Sequence, residues 1–172
     1  MISDALFSPD RVYRYKLRRI WGDMYCGHGK APGQCWWQCD LFTPRTSVAF
    51  IGLNPSTADE TVDDPTIRRC IRFAKDWGYD GMTMYNLFAL RSTDPKKLTE
   101  VADPVGPYND SYLRAINADL IVAAWGVHGA LQNRGWYVTG ILPKPAMALG
   151  HTAGGFPRHP LYVRADAELV RA

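Results

Sequence analysis

The sequence predicts an α/β protein in three α/β/α layers. A central, mainly parallel sheet of four strands lies between helices, with an antiparallel strand pair added at the amino-terminal end. Three observations carry this expectation. Residues 48–53, 82–88 and 120–125 are short, mostly apolar runs, the character of strands covered on both faces. Segments with helical spacing of apolar residues separate them. Strand and helix therefore alternate, which is the pattern of a parallel sheet with crossover helices.

Each element has a local reason. In residues 12–21, Tyr13, Tyr15 and Leu17 alternate with Arg14, Lys16 and Arg18, the period of a half-buried strand. Residues 35–42 are its candidate antiparallel partner, and the Gly- and Pro-rich residues 22–34 between them read as a loop. After the strand at 48–53, Asp64 caps a helix with Pro65 at its first position. Ile67, Cys70, Ile71, Ala74 and Trp77 follow helical spacing, and Gly78 and Gly81 end the helix. The strand at 82–88 follows. Asp94-Pro95 starts a second helix, and Pro107 opens a third through Tyr112, Leu113 and Ile116. The strand at 120–125 comes next, then a short helix after Gly126. Pro143 and Pro145 break the chain before a fourth short strand at 146–149, whose exit loop is 151–160. No repeat of fixed period is present.

A length of 172 residues suits one domain, with residues 1–46 (strand pair and Cys/Gly-rich loop) as an extension of it. Apolar residues at 47% and charged residues at 22% are ordinary for a globular protein. No apolar run approaches the roughly 20 residues of a membrane span. The start, Met1-Ile-Ser-Asp4, lacks the basic-then-apolar order of a signal peptide. Four cysteines suggest a reducing compartment, so a cytoplasmic location is expected. The net charge of +3 argues against a protein that coats a polyanion; any nucleic-acid contact is expected to be local.

Open α/β sheets bind ligands beyond the carboxyl ends of their strands. The exits here are Asn54-Pro-Ser56, Asn86-Leu-Phe88, Trp125-Gly126 and His151-Thr152. The motifs Gly52-Leu-Asn-Pro-Ser-Thr-Ala-Asp59, Asp63-Asp-Pro-Thr-Ile-Arg-Arg-Cys70, Asn86-Leu-Phe-Ala89, Ala124-Trp-Gly126 and Pro157-Arg-His-Pro-Leu-Tyr162 resemble an uncharacterised bacterial and phage family of unknown function. Taken in order, they also distantly resemble the uracil-DNA glycosylase superfamily. That resemblance implies that Asn54, in Gly52-Leu-Asn-Pro55, positions the attacking water and that Asn86 reads a pyrimidine edge. Ala124-Trp-Gly126 is similar to a Leu-Trp-Gly motif. The loop from Gly150 to Arg158 takes the place of a His-Pro-Ser-Pro-like motif but lacks Pro-Ser-Pro after His151. Ser56 stands where some branches have tyrosine.

The implied activity is hydrolysis of a base–sugar bond in DNA, with a damaged or modified pyrimidine as the expected base and no cofactor required. Such a reaction needs a held water, donors to the departing base and a pocket for an extruded base. Asn54 can orient water but has no useful pKa, so Asp63 or Asp64 is the expected base. Each also has a structural reading, Asp64 as the helix cap and Asp63 at the positive helix end. Asn86 offers an acceptor and two donors to a base, or ties a loop backbone. Ser56 and Thr57 are further substrate-binding candidates on the first exit turn. Phe88 and Trp125 either stack on a base or belong to the core. His151 and His159 are candidates to stabilise the leaving base, with Thr152 and Arg158 as binding residues, Arg158 for phosphate. The alternative for that cluster is a surface loop held by Gly154, Gly155 and Pro157.

Two further patterns stay open at this stage. Cys26, His28, Cys35 and Cys39 supply four zinc-type ligands, though Trp36 and Trp37 equally suit burial of the cysteines. The basic stripe Arg11, Arg14, Lys16, Arg18, Arg19 either follows a phosphate backbone or protects an edge strand from aggregation. DNA or a nucleotide is the expected partner. Rival readings of the same fold are an enzyme of nucleotide or modified-base metabolism and a non-catalytic binder of modified nucleic acid.

Overall fold

Four successive residues, Val48 to Ile51, lose all contact with water, so their strand lies inside the sheet with both faces covered. This is β5, Ser47–Gly52. Val48 and Phe50 pack into one hydrophobic cluster and Ala49 and Ile51 into another, as the two-residue period of a strand requires. The computed structural model describes residues 1–26 and 42–172.

β5 runs parallel to β6, Gly81–Asn86, on one side and to β7, Leu120–Ala123, on the other. β7 pairs in parallel with β8, Met147–Ala148. The expected four-stranded sheet is larger and mixed. β1, Ile2–Phe7, and β2, Arg14–Ile20, extend it antiparallel beyond β6, and β9, Val170–Arg171, pairs antiparallel with β8. Among the described residues one sheet thus has seven strands, in the order β1-β2-β6-β5-β7-β8-β9.

The partner of β2 differs from the expectation. β2 pairs with β1 and β6; of the expected partner, residues 35–42, only Phe42 lies within the described residues. Phe42 belongs instead to β4, Phe42–Pro44, which forms a separate two-stranded sheet with β3, Met24–Cys26. Because β2 is interior, its basic residues are not an outer stripe. Arg14 and Arg19 are 2% and 1% exposed. Arg18 pairs with Asp4 across β1 and β2, and Arg11 pairs with Glu60.

The helices cover both faces. α1, Pro65–Asp76, starts where Asp64 Oδ1 accepts the Ile67 N–H at 2.8 Å, with Pro65 in the first turn. Gly78, at φ +80°, turns the chain after it. Ile67, Cys70, Phe73 and Ala74 form its buried stripe against Val48 and Phe50. Trp77 stacks between Phe50 and Phe73, at 6.0 and 5.4 Å between ring centres. Phe73→Ala would cost about 3–5 kcal/mol here. On the opposite face, α2, Lys97–Glu100, α3, Asn109–Arg114, and α4, Arg134–Ile141, bury Leu98, Leu113 and Val138. The helix expected at Asp94-Pro95 begins later, at Lys97, because Ser92 and Asp94 spend their side chains on a local turn. No helix among the described residues is long and apolar enough to cross a membrane.

Candidate functional site

The carboxyl ends of β5, β6 and β7 and the loop beyond β8 converge on a cavity of about 580 Å³. Backbone bonds fix these exits to one another. The Leu87 and Phe88 N–H groups donate to Gly52 O and Leu53 O, each at 2.9 Å, and the Ala124 N–H donates to Ile51 O at 2.8 Å. The Gly126 N–H donates to Pro157 O at 3.0 Å, which joins the exit of β7 to the last loop. Asn54 Nδ2 donates to Ser92 O at 2.8 Å and to Pro55 O at 3.1 Å. That tie orients the Asn54 side chain on the cavity wall and leaves these bonds on its nitrogen alone.

Two buried polar side chains, Asn86 and Arg14, line the cavity floor. Asn86, at the end of β6, is 2% exposed and lines the cavity, and its Nδ2 has no hydrogen-bond partner. Leaving such a donor unmade costs about 1–3 kcal/mol. Its backbone is held from behind: Asn109 Nδ2 donates to Asn86 O and Leu87 O, both at 3.0 Å, and Arg134 Nε donates to Leu87 O at 2.9 Å. Arg134 in turn pairs with Asp110. Arg14 of β2 also lines the floor. Its Nη1 donates to Ala58 O at 2.9 Å, while its buried Nε has no partner. Burial, with opposition from Arg91 and Arg19, pulls the Arg14 pKa down to about 10 against the help of Asp64, so the guanidinium stays charged at neutral pH.

Asp64, Arg158 and His159 also line the cavity. Asp64 gives Oδ1 to the helix cap. Burial lowers the His159 pKa below the ordinary 6.5, with Asp64 acting against it, so the ring is neutral at pH 7. Its Nδ1 accepts the Leu161 N–H at 3.3 Å, which puts the proton of the neutral ring on Nε2. Arg158 Nε donates to His151 O at 2.9 Å. Tyr162 stands at the rim, 78% exposed, with its ring 5.5 Å from His159. Trp125 is 4% exposed and lines the cavity with little surface. Gly129 permits its position, since a β-carbon there would stand 2.1 Å from the indole.

Of the residues the sequence singles out, Asn54, Ser56, Asn86, Trp125, Thr152, Arg158 and His159 meet at this cavity. Four others do not line it. Asp63 faces away and pairs with buried Arg19 at 2.8 Å. Phe88 is wholly buried in the core cluster that also holds Leu98 of α2 and Leu113 of α3. Thr57 is exposed outside the cavity. His151 is exposed and joins the loop by a backbone bridge to Pro157. The zinc pattern falls on His28, Cys35 and Cys39, which lie outside the described residues; Cys26 is buried in β3. Among the described residues no cluster of three or more His, Cys, Asp or Glu could hold a metal. Sequence reasoning missed Arg14 and Asn109 as site residues. Their signal would have been the strand at β1, which turns β2 inward, and an Asn in the first turn of a helix beneath a strand exit.

No curated protein and no solved structure matches the chain. A family does match, over residues 14–161, a span that takes in every residue lining the cavity except Tyr162. The chain belongs to this family, described as a protein of unknown function (DUF1643).

Proposed function

We propose that the protein is a hydrolase that cleaves the bond between a modified or damaged pyrimidine and its sugar in DNA, a glycosylase of the uracil-DNA-glycosylase type. One observation carries the reading: a buried, unpartnered Asn86 amide lies at the bottom of a cavity at the carboxyl edge of the sheet. The volume suits an extruded base, and an amide matches the donor and acceptor pattern of a pyrimidine edge.

The remaining wall residues suit the rest of the reaction. Water adds to the anomeric carbon and gives its proton to Asp64, whose Oδ2 is not used by the helix cap. Asn54 orients that water through Oδ1, because Nδ2 is committed to the loop backbone. The C–N electron pair leaves with the base, and the negative charge spreads onto its carbonyl oxygens. Asn86 Nδ2 and His159 Nε2 donate to them. Asp64 takes the part for which the sequence favours Asp63, because Asp64 is the one on the cavity wall.

Incubation with DNA carrying uracil, mismatched thymine or hypermodified phage pyrimidines, followed by mass spectrometry of free bases, tests this. Release by the wild type, none by Asn54→Ala and about a hundredfold slower release by Asp64→Asn are expected. Folded wild-type protein that frees no base from any of these substrates would overturn the proposal. Conversion of mononucleotides without action on DNA would favour nucleotide metabolism in the same cavity.

A further inference from the structure

The cavity walls carry more positive than negative charge. Arg14 and Arg158 line it against one carboxylate, Asp64, and that carboxylate already gives an oxygen to the α1 cap. Arg158 is at the exposed mouth; Arg14 is at the floor, 2% exposed. Arg14 takes part in none of the ion pairs seen among the described residues. By contrast Arg19, the other buried arginine of β2, has Asp63. A guanidinium removed from water is costly; Asp64 and Asp59 offset part of that cost through space but neither bonds it, and its bond to Ala58 O needs a donor but no charge. The edge of the guanidinium that includes the unpartnered Nε is the fork that takes a carboxylate or phosphate side-on.

We infer that Arg14 binds an anionic group of the ligand at the inner end of the cavity. Resting on the base-release reading, this makes the substrate a pyrimidine with an acidic substituent, typified by a 5-carboxyl group. The same chemistry would be supplied by the phosphate of a free mononucleotide. Asn86 reads the ring, and Arg14 selects for the charge.

Calorimetric titration of the wild type with 5-carboxyuracil and thymine, and with thymidine monophosphate and thymidine, separates the sources. Each pair differs mainly in one anionic group. The expected result is at least about tenfold tighter binding of 5-carboxyuracil than of thymine, the scale of a charge-assisted pair. Arg14→Gln should erase that preference, and Arg14→Lys should keep part of it. A preference confined to the nucleotide pair, and lost in Arg14→Gln, keeps the anion site but moves its source to phosphate, and so overturns base release. Equal affinities within each pair for folded wild type overturn the anion site; base release from neutral-pyrimidine DNA would then still stand. A preference unchanged in folded Arg14→Gln overturns the assignment to Arg14, and no binding of any of the four overturns both readings. The wild-type comparison decides even if the variants fail to fold.

Discussion

Gly52 and Asn86 face each other as register partners on β5 and β6, and a β-carbon on Gly52 would stand 3.0 Å from Asn86 Oδ1. The glycine is therefore the space into which the amide fits. Gly52→Ala should press the amide out of position at a cost of about 1–2 kcal/mol, as overpacking does. Base release should fall about tenfold or more, with the fold intact by circular dichroism. Unchanged turnover in Gly52→Ala would mean that the amide position does not matter to the reaction.

Asn86→Leu should separate stability from function. The wild-type side chain holds a buried donor with no partner, a penalty of about 1–3 kcal/mol. Leucine of similar size removes that penalty. Thermal unfolding should rise by about 2–4 °C, the shift about 1 kcal/mol produces in a chain of this size, while binding of the base is lost. A fall in stability instead would show that the amide serves the fold rather than a ligand.

The parts of this architecture that follow local rules were legible in the sequence. β5 announces itself by an unbroken apolar run, and α1 by Asp64, Pro65 and the stripe from Ile67 to Ala74. The convergence of Asn54, Asn86, Trp125 and Thr152 followed from strand exits alone. What was not legible depends on pairing between distant segments. β1 contains Ser3 and Asp4, poor strand formers, so its partnership with β2 leaves little trace. Without β1, the alternation in β2 reads as an edge strand with a solvated basic face. With it, Arg14 and Arg19 become buried, and only the tertiary structure decides which of them meets a carboxylate and which meets a cavity.

Asp63 and Asp64 are adjacent in sequence but should respond oppositely to substitution. Asp63→Ala leaves Arg19, whose side chain is 1% exposed, without its carboxylate. The expected loss is about 2 kcal/mol or more; it falls below the full cost of breaking a buried pair because Asp63 keeps some contact with water. Protein that remains folded should still release base at near the wild-type rate. Asp64→Asn preserves a competent helix cap and so should unfold at nearly the same temperature. Its rate should drop by about a hundredfold, the contribution of a general base. Steady-state rates and denaturation midpoints of the two variants check both statements, and a catalytic loss confined to Asp63→Ala would reverse the roles.

His159 gives the site a defined response to acid. Burial holds its pKa below the ordinary 6.5, and Asp64 nearby recovers only part of the difference. Between the lowered folded value and 6.5 the unfolded chain binds the proton more readily than the folded one. Stability linked to His159 is therefore fully present above pH 6.5 and is lost as the pH falls through the folded value. The neutral ring, with its proton on Nε2, is also the form that donates to a departing base without first carrying a charge. The rate should thus be flat around pH 7 and decline on an acid limb centred below 6.5. His159→Gln keeps a donor and has no titration in this range. Any acid limb due to His159 should vanish in that variant, at a rate reduced by about ten- to a hundredfold. An identical pH profile in His159→Gln would assign the limb to another group.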